Sequence, residues 1–144
     1  TDLQEPTAKM SKSAASDSGI VYLLDEPSAI IKKFKRAVTD SDGEVRFDRT
    51  EKPGISNLLE ILAACTGRTP EQTAAGYTQY GPLKADAGEA VVEVLTPIQH
   101  RYRELMGDPA ELSRLLRVGA DKARSVASAT LARTYSNIGL LPPN

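Results

Sequence analysis

Tryptophan is absent from this sequence, and cysteine and histidine each occur only once in its 144 residues. The single cysteine, Cys65, excludes a disulfide within the chain, which is typical of proteins from a reducing cytoplasm. With His100 as the one imidazole, no cluster of metal ligands is evident, and we expect no protein-bound metal. Aromatic residues make up only 5% of the chain. The core must therefore be built mainly from aliphatic side chains.

Long apolar runs are also missing, so the sequence predicts no membrane-spanning segment. The first residues, Thr1 to Pro6, have neither the basic start nor the apolar stretch of a signal peptide. There is no initiator methionine, and we expect an excised fragment or a processed chain.

The residues that are present are those of an ordinary globular domain, with 40% apolar and 26% charged side chains. The net charge of -1 conceals an uneven distribution. Basic residues outnumber acidic ones toward both ends of the chain, and the middle is acidic. A nucleic-acid partner is compatible with these local basic patches, although the overall charge does not require one.

Apolar spacing and capping signals predict a mainly α fold, a helical bundle with short connections. Thr69 and Gln72 form a capping box around Pro70, and Gly67 and Gly139 stand where helices end. Gly119 is expected to interrupt the last helix, and Pro97 to kink the one before it. The predicted helices cover residues 27–38, 55–66, 70 to about 80, 84–106, and 109–138.

The remaining segments are predicted to be irregular. Residues 1–19 read as a loop, and residues 20–24 suit either a buried strand or a helical turn. Residues 45–47 alternate in polarity as a short strand would, within an acidic connector that covers 39–53.

One motif is of a kind that can take part in catalysis. Its sequence is Lys9-Met10-Ser11-Lys12-Ser13. Two lysines and two hydroxyls on a mobile loop can meet negative charge that develops on a phosphate leaving group, and such differential contact accelerates a reaction. The plainer interpretation is a solvated Lys/Ser loop. Five residues alone do not decide between the two.

The motif is the KMSKS signature of class I aminoacyl-tRNA synthetases, and the resemblance extends along the chain. Further segments resemble bacterial tryptophanyl-tRNA synthetases, in the order of that family. They are 23–25 (LLD), 31–41 (IKKFKRAVTDS), 52–59 (KPGISNLL), 83–86 (LKAD), 97–102 (PIQHRY) and 119–124 (GADKAR). One departure follows the signature, because Ala14-Ala15 stands where many members have Asp-Pro.

The resemblance implies the domain organisation. Residues 1–24 would be the KMSKS loop and the end of the catalytic Rossmann domain, most of which is missing. Residues 25–144 would be the helical C-terminal domain that binds the tRNA anticodon.

The resemblance also implies the activity, a tryptophan–tRNA ligase that activates tryptophan with ATP and transfers it to tRNA(Trp). Lys12 and Lys9 would be catalytic, and all five residues from Lys9 to Ser13 would hold ATP, with Mg2+ accompanying the nucleotide. The intact enzyme would be a cytoplasmic homodimer. The family's second signature, His-x-Gly-His, is absent, so the chain alone is predicted to be inactive. The alternatives are a non-catalytic RNA-binding or interaction module on the same scaffold, and an auxiliary paralogue of the enzyme.

Basic side chains supply the candidate RNA contacts. On the last helix they are Arg114, Arg117, Lys122 and Arg124, with Arg133 further along; the plainer interpretation is a solvated face. Two roles are open for the basic side chains between Lys32 and Arg36. They could contact RNA, or they could steady the acidic connector through Asp40 and Asp42.

Overall fold

The computed structural model describes residues 1–11 and 16–141. These residues contain a short 3-10 helix, Asp17–Gly19, and five α-helices, and they form no strand. The chain divides into two compact units, Thr1–His100 and Arg101–Asn144. The mainly helical fold class is confirmed, whereas the boundary between residues 24 and 25 stays a prediction. The helices are α1 (Pro27–Lys35), α2 (Pro53–Thr66), α3 (Pro70–Ala74), α4 (Tyr80–Gly107) and α5 (Pro109–Ile138).

The capping signals in the sequence explain where the helices begin and end. Proline stands in the first turn of α1, α2, α3 and α5, where no helical partner is lost because those amides have none. The predicted capping box is present, with Thr69 and Gln72 each bonding the other's backbone. Gly67 and Gly139 close α2 and α5 with left-handed φ angles of 70° and 72°, which glycine adopts without strain.

Several predicted boundaries were wrong. α1 ends at Lys35 rather than near residue 38, because the chain turns there and the Val38 amide donates to the Leu3 carbonyl over 2.8 Å. α3 ends at Ala74, α5 runs through Gly119 without a break, and α4 begins already at Tyr80. Residues 20–24 form neither a strand nor a helix, since a turn from Tyr22 to Asp25 occupies them.

The predicted strand at residues 45–47 is also wrong. These residues have no ladder partner within the described chain, and none of them is assigned to a strand. Alternation here reflects side-chain contacts instead. Val45 and Phe47 pack against the core, while Arg46 pairs with Glu44 and Asp48 at 3.1 and 2.7 Å.

The core of the first unit is aliphatic apart from one aromatic ring, Phe34, as the composition predicted. Phe34 lies against Gly88 of α4. A Cβ added to Gly88 would stand 3.2 Å from the Cβ of Phe34. Glycine at position 88 therefore lets α1 approach α4 closely. The buried members are Leu3, Ile30, Phe34, Ala37, Ile55, Leu58, Leu59, Leu62, Leu83, Ala87 and Leu95.

A second glycine permits an even closer approach between backbone segments. A Cβ on Gly54, at the start of α2, would lie 2.2 Å from the Val38 carbonyl oxygen and 3.2 Å from the Thr39 Cα. No side chain fits at that distance. The start of α2 thus packs directly on the backbone that follows α1.

In the second unit, α5 contains no buried residue. Val126, for example, is 75% exposed. The helix therefore depends on its own backbone, caps and ion pairs for local stability, and helix propensity matters along it.

Gly119→Ala is expected to stabilise α5, since Gly119 lies in the interior of the helix and an added Cβ would meet nothing within 4 Å. Alanine removes backbone freedom from the unfolded chain and should contribute about 0.5–1 kcal/mol. Circular dichroism during thermal unfolding would measure this. A lowered melting temperature would show that position 119 needs glycine for a contact outside the helix.

Candidate functional site

The signature begins on an exposed stretch of backbone. Lys9 and Ser11 are exposed and Met10 is half-buried. Lys12 and Ser13 lie outside the described residues. Two stems, one before the loop and one after it, hold the described residues around the signature.

The upstream stem is a closed turn. The Asp2 carboxylate accepts hydrogen bonds from the amides of Gln4 and Glu5 at 2.7 and 3.1 Å. The Asp2 amide donates to the Ala8 carbonyl at 3.0 Å, which closes the turn just before Lys9. An Asp that bonds its own following amides is a standard way to fix such a turn.

The downstream stem is the 3-10 helix at Asp17–Gly19. The Ser16 hydroxyl accepts from the Ser18 amide, and the Tyr22 hydroxyl donates to the Asp17 carboxylate at 2.8 Å. This hydrogen bond to Asp17 raises the pKa of the Tyr22 phenol, with burial and the Asp17 and Asp25 charges contributing less. Asp17 is the first residue of this short helix.

The two stems touch each other. The Leu3 amide donates to the Gly19 carbonyl at 2.9 Å. A Cβ on Gly19 would stand 1.7 Å from the Asp2 carboxylate, so glycine at this position lets the stems lie side by side. The Val38 amide bonds Leu3 in turn, which ties the loop to the end of α1.

The segment after the 3-10 helix is held by two side chains. The Lys33 ammonium donates to the Ile20 carbonyl at 2.7 Å and pairs with Asp25 at 2.6 Å. The Gln99 amide, which is 4% exposed, donates to the carbonyls of Leu23 and Asp25, both at 2.9 Å. Sequence reasoning missed Gln99. Its signal is a polar residue one helical turn after the buried Leu95, because a buried amide must be hydrogen-bonded.

Lys52 is the second residue that sequence reasoning missed. Its side chain is only 1% exposed, and its ammonium donates to Asp40 at 3.2 Å, to Tyr80 at 3.0 Å and to Asp42. The cations of α1 do not steady the acidic connector; this buried lysine does. The Tyr80 hydroxyl joins the cluster through Asp40 and the Glu44 carbonyl.

The charges of this cluster support one another. Burial alone lowers the pKa of Lys52, but its bonds to Asp42, Tyr80 and Asp40 outweigh burial and raise the pKa above its usual value. The bond from Lys52 holds the pKa of Asp42 well below its usual range. Burial, then the Asp40 contact, raises the pKa of Tyr80 to about 12. One Asp40 oxygen, Oδ2, is buried without a hydrogen-bond partner in the described structure.

The phenol of Tyr80 gives a measurable consequence at alkaline pH. A pKa raised from 10.0 to about 12 means that the folded state holds the proton more tightly. The corresponding stability is fully present below pH 10 and is lost as the pH rises from 10 to 12. Ultraviolet titration should show two late phenols, because burial and the Asp86 contact also raise the pKa of Tyr77 to about 12. Tyr80→Phe should remove one of these two titrations. If both remained in the variant, the assignment of a raised pKa to Tyr80 would be contradicted.

The predicted RNA-binding residues of α5 do not share one face. Arg114 and Arg124 are exposed and pair with acidic residues three positions earlier, at 2.6 and 2.7 Å. At about 100° per residue, Arg117 and Arg124 lie within about 20° of each other around the helix. Arg114 lies about 80° from Arg124 on one side and about 80° from Lys122 on the other. A partner that lies against Arg117 and Arg124 can therefore also reach Arg114, whereas Lys122 lies on the opposite side of Arg114.

Across residues 1–11 and 16–141, no group of three metal-ligating side chains comes together. Among the same residues, no helix combines the length and apolarity that crossing a membrane requires.

Comparison with known proteins gives a consistent result. The family model of "tRNA synthetases class I (W and Y)" matches residues 1–96. A tryptophan–tRNA ligase of Streptomyces coelicolor is 54% identical over 142 residues, which cover 99% of this chain and 42% of that protein. One from Mycobacterium leprae is 50% identical over 98% of this chain and 42% of the relative.

A solved structure agrees with these relatives. The crystal structure of tryptophanyl-tRNA synthetase from Mycoplasma pneumoniae superposes with a TM-score of 0.87 at 31% identity, and the match covers 98% of this chain and 43% of that one. The chain thus spans about 42% of the length of the curated relatives.

Proposed function

Since the chain belongs to the class I tRNA synthetases of the tryptophan and tyrosine group, we propose that it is part of a tryptophan–tRNA ligase. The observation that carries the proposal is the five-residue signature from Lys9 to Ser13, placed between two stems that bond each other. Tryptophan is favoured over tyrosine because the similar proteins bear the names of tryptophan enzymes.

The loop residues would act in amino-acid activation, where the tryptophan carboxylate attacks the α-phosphate of ATP and pyrophosphate leaves. Lys9 and Lys12 would meet the negative charge that grows on the leaving group, and Ser11 and Ser13 would donate hydrogen bonds to it. Met10, half-buried, would tether the loop. Mg2+ that arrives with ATP would offset the remaining phosphate charge.

The two stems hold the segments on either side of the signature. Both ends are fixed, by the Asp2 turn and by the 3-10 helix, and the Leu3–Gly19 bond keeps them adjacent.

The helical region would bind tRNA(Trp). We propose the arginines of α5, Arg114, Arg117 and Arg124, as the anticodon-side contact, with Lys122 beside Arg114 about 80° around the helix. The full-length protein would be a homodimer that works in the cytoplasm.

ATP–pyrophosphate exchange by the full-length protein tests the proposal. Exchange should depend on tryptophan and not on tyrosine. The 144-residue chain alone should give none, since the family's His-x-Gly-His signature is not in it. Absence of tryptophan-dependent exchange in the full-length protein would favour a non-catalytic RNA-binding module, and turnover by the chain alone would contradict the predicted inactivity.

A further inference from the structure

α1 has an unusual balance of charge for a helix of nine residues. It contains three lysines and no acidic residue, and Arg36 follows directly at its C-terminal cap. The Lys33 ammonium bonds within the described structure, to the Asp25 carboxylate and the Ile20 carbonyl. Among the described residues, the side chains of Lys32 and Arg36 form no hydrogen bond or ion pair.

Lys32 and Arg36 both line a groove of about 270 Å³. They are four positions apart, so their side chains are neighbours on one face of the helix. Ala29 and the stem residues Asp17 and Ser18 complete the groove, together with Lys33. The groove therefore lies between α1 and the segment by which the chain leaves the signature loop.

We propose that this groove binds the phosphodiester backbone of an RNA strand, with Lys32 and Arg36 as the phosphate contacts. The inference rests on the proposed function, in which the partner is tRNA(Trp), and it adds a second RNA-binding surface beside the loop, in addition to the one proposed on α5.

The charge arrangement supports an extended polyanion. Two exposed cations lie one helical turn apart, so they can contact successive negative charges along a strand. The lining contains one carboxylate, Asp17, which accepts a hydrogen bond from the Tyr22 hydroxyl. The lining has three basic side chains, Lys32, Lys33 and Arg36, against this one carboxylate, so the net charge of the groove is positive.

Lys33 has a different role in the same groove. The Lys33 ammonium donates hydrogen bonds to Asp25 and to the Ile20 carbonyl. Lys33 therefore joins α1 to the segment that follows the 3-10 helix. Lys32 and Arg36, in contrast, are exposed and free of such bonds among the described residues, so their replacement should leave the fold intact.

The test compares Lys32→Gln/Arg36→Gln with wild type in the full-length protein, by binding of a tRNA(Trp) transcript at several salt concentrations. Each phosphate contact adds roughly one unit to the slope of log affinity against log salt. The double variant should therefore lose about two units of slope and bind about tenfold more weakly at low salt. Tryptophan-dependent ATP–pyrophosphate exchange, which needs no tRNA, should be unchanged.

Lys35→Gln is the matched control, since it removes one charge from the same helix outside the groove lining. It should leave the slope nearly unchanged. An unchanged slope in the double variant, or an equal loss in Lys35→Gln, would overturn the proposal. So would calorimetric binding of inorganic pyrophosphate that the double variant abolishes while RNA binding persists, because the groove would then hold a free anion. Failure of the ligase proposal would appear separately, as absent exchange in wild type.

Discussion

Lys12→Ala in the full-length protein is expected to lower tryptophan-dependent ATP–pyrophosphate exchange by about 10²–10³ in kcat, with a much smaller change in KM for ATP. The reason is that charge on the pyrophosphate grows only as the bond to the α-phosphorus breaks. An ammonium placed to meet that charge stabilises the transition state more than bound ATP.

Lys35→Ala is the control for this prediction, because it also removes one lysine but lies on α1 rather than in the loop. It should leave the exchange rate within about twofold of wild type, as is usual for surface substitutions away from special contacts. Wild-type kcat in Lys12→Ala would contradict the role of the loop. A rise in KM with unchanged kcat would mean that Lys12 binds ATP equally well before and during the reaction.

The helices were predictable because the signals that define them are local. Pro70 with Thr69 and Gln72, and the glycines at 67 and 139, mark helix ends within four residues of sequence. Such signals depend on backbone hydrogen bonds that close within one turn. The end of α1 was wrong for the opposite reason, since the Val38 amide bonds Leu3, which lies 35 residues away.

The candidate site was only partly predictable. The signature from Lys9 to Ser13 is a contiguous motif, so the sequence identifies it directly. The other clusters of the unit are not contiguous in sequence. Lys52 reaches Asp40 and Tyr80, which lie 12 and 28 positions away, and Gln99 reaches Leu23 over 76. Tertiary folding brings these groups together, and no local spacing encodes the pairing.

The charged residues illustrate the same point. Sequence alone placed the connector's Asp40 and Asp42 near the α1 cations as one of two alternatives. The structure pairs both with Lys52 instead and leaves Lys32 and Arg36 exposed. Burial decides which lysine is structural, and burial is a property of the fold.

Gly54→Ala is expected to destabilise the protein by about 3 kcal/mol or more, because an added Cβ would lie 2.2 Å from the Val38 carbonyl oxygen. The obstacle is backbone, which cannot rotate aside as a side chain can. Relief requires α2 or the segment at Val38 to shift. Chemical denaturation, followed by circular dichroism, would measure the loss as a lower midpoint.

The displacement should also reach the signature loop. The Val38 amide holds Leu3, and Leu3 holds Gly19, so a shift at Val38 loosens the bonds that keep the two loop stems adjacent. Gly54→Ala should therefore reduce tryptophan-dependent exchange even under conditions where the protein remains folded. Gly119→Ala is the matched control, since it adds the same methyl group to open space and should stabilise the chain without affecting exchange. Equal stability of the two variants would show that α2 can move away from Val38 at little cost, and full exchange in folded Gly54→Ala would show that the stems hold the loop without that contact.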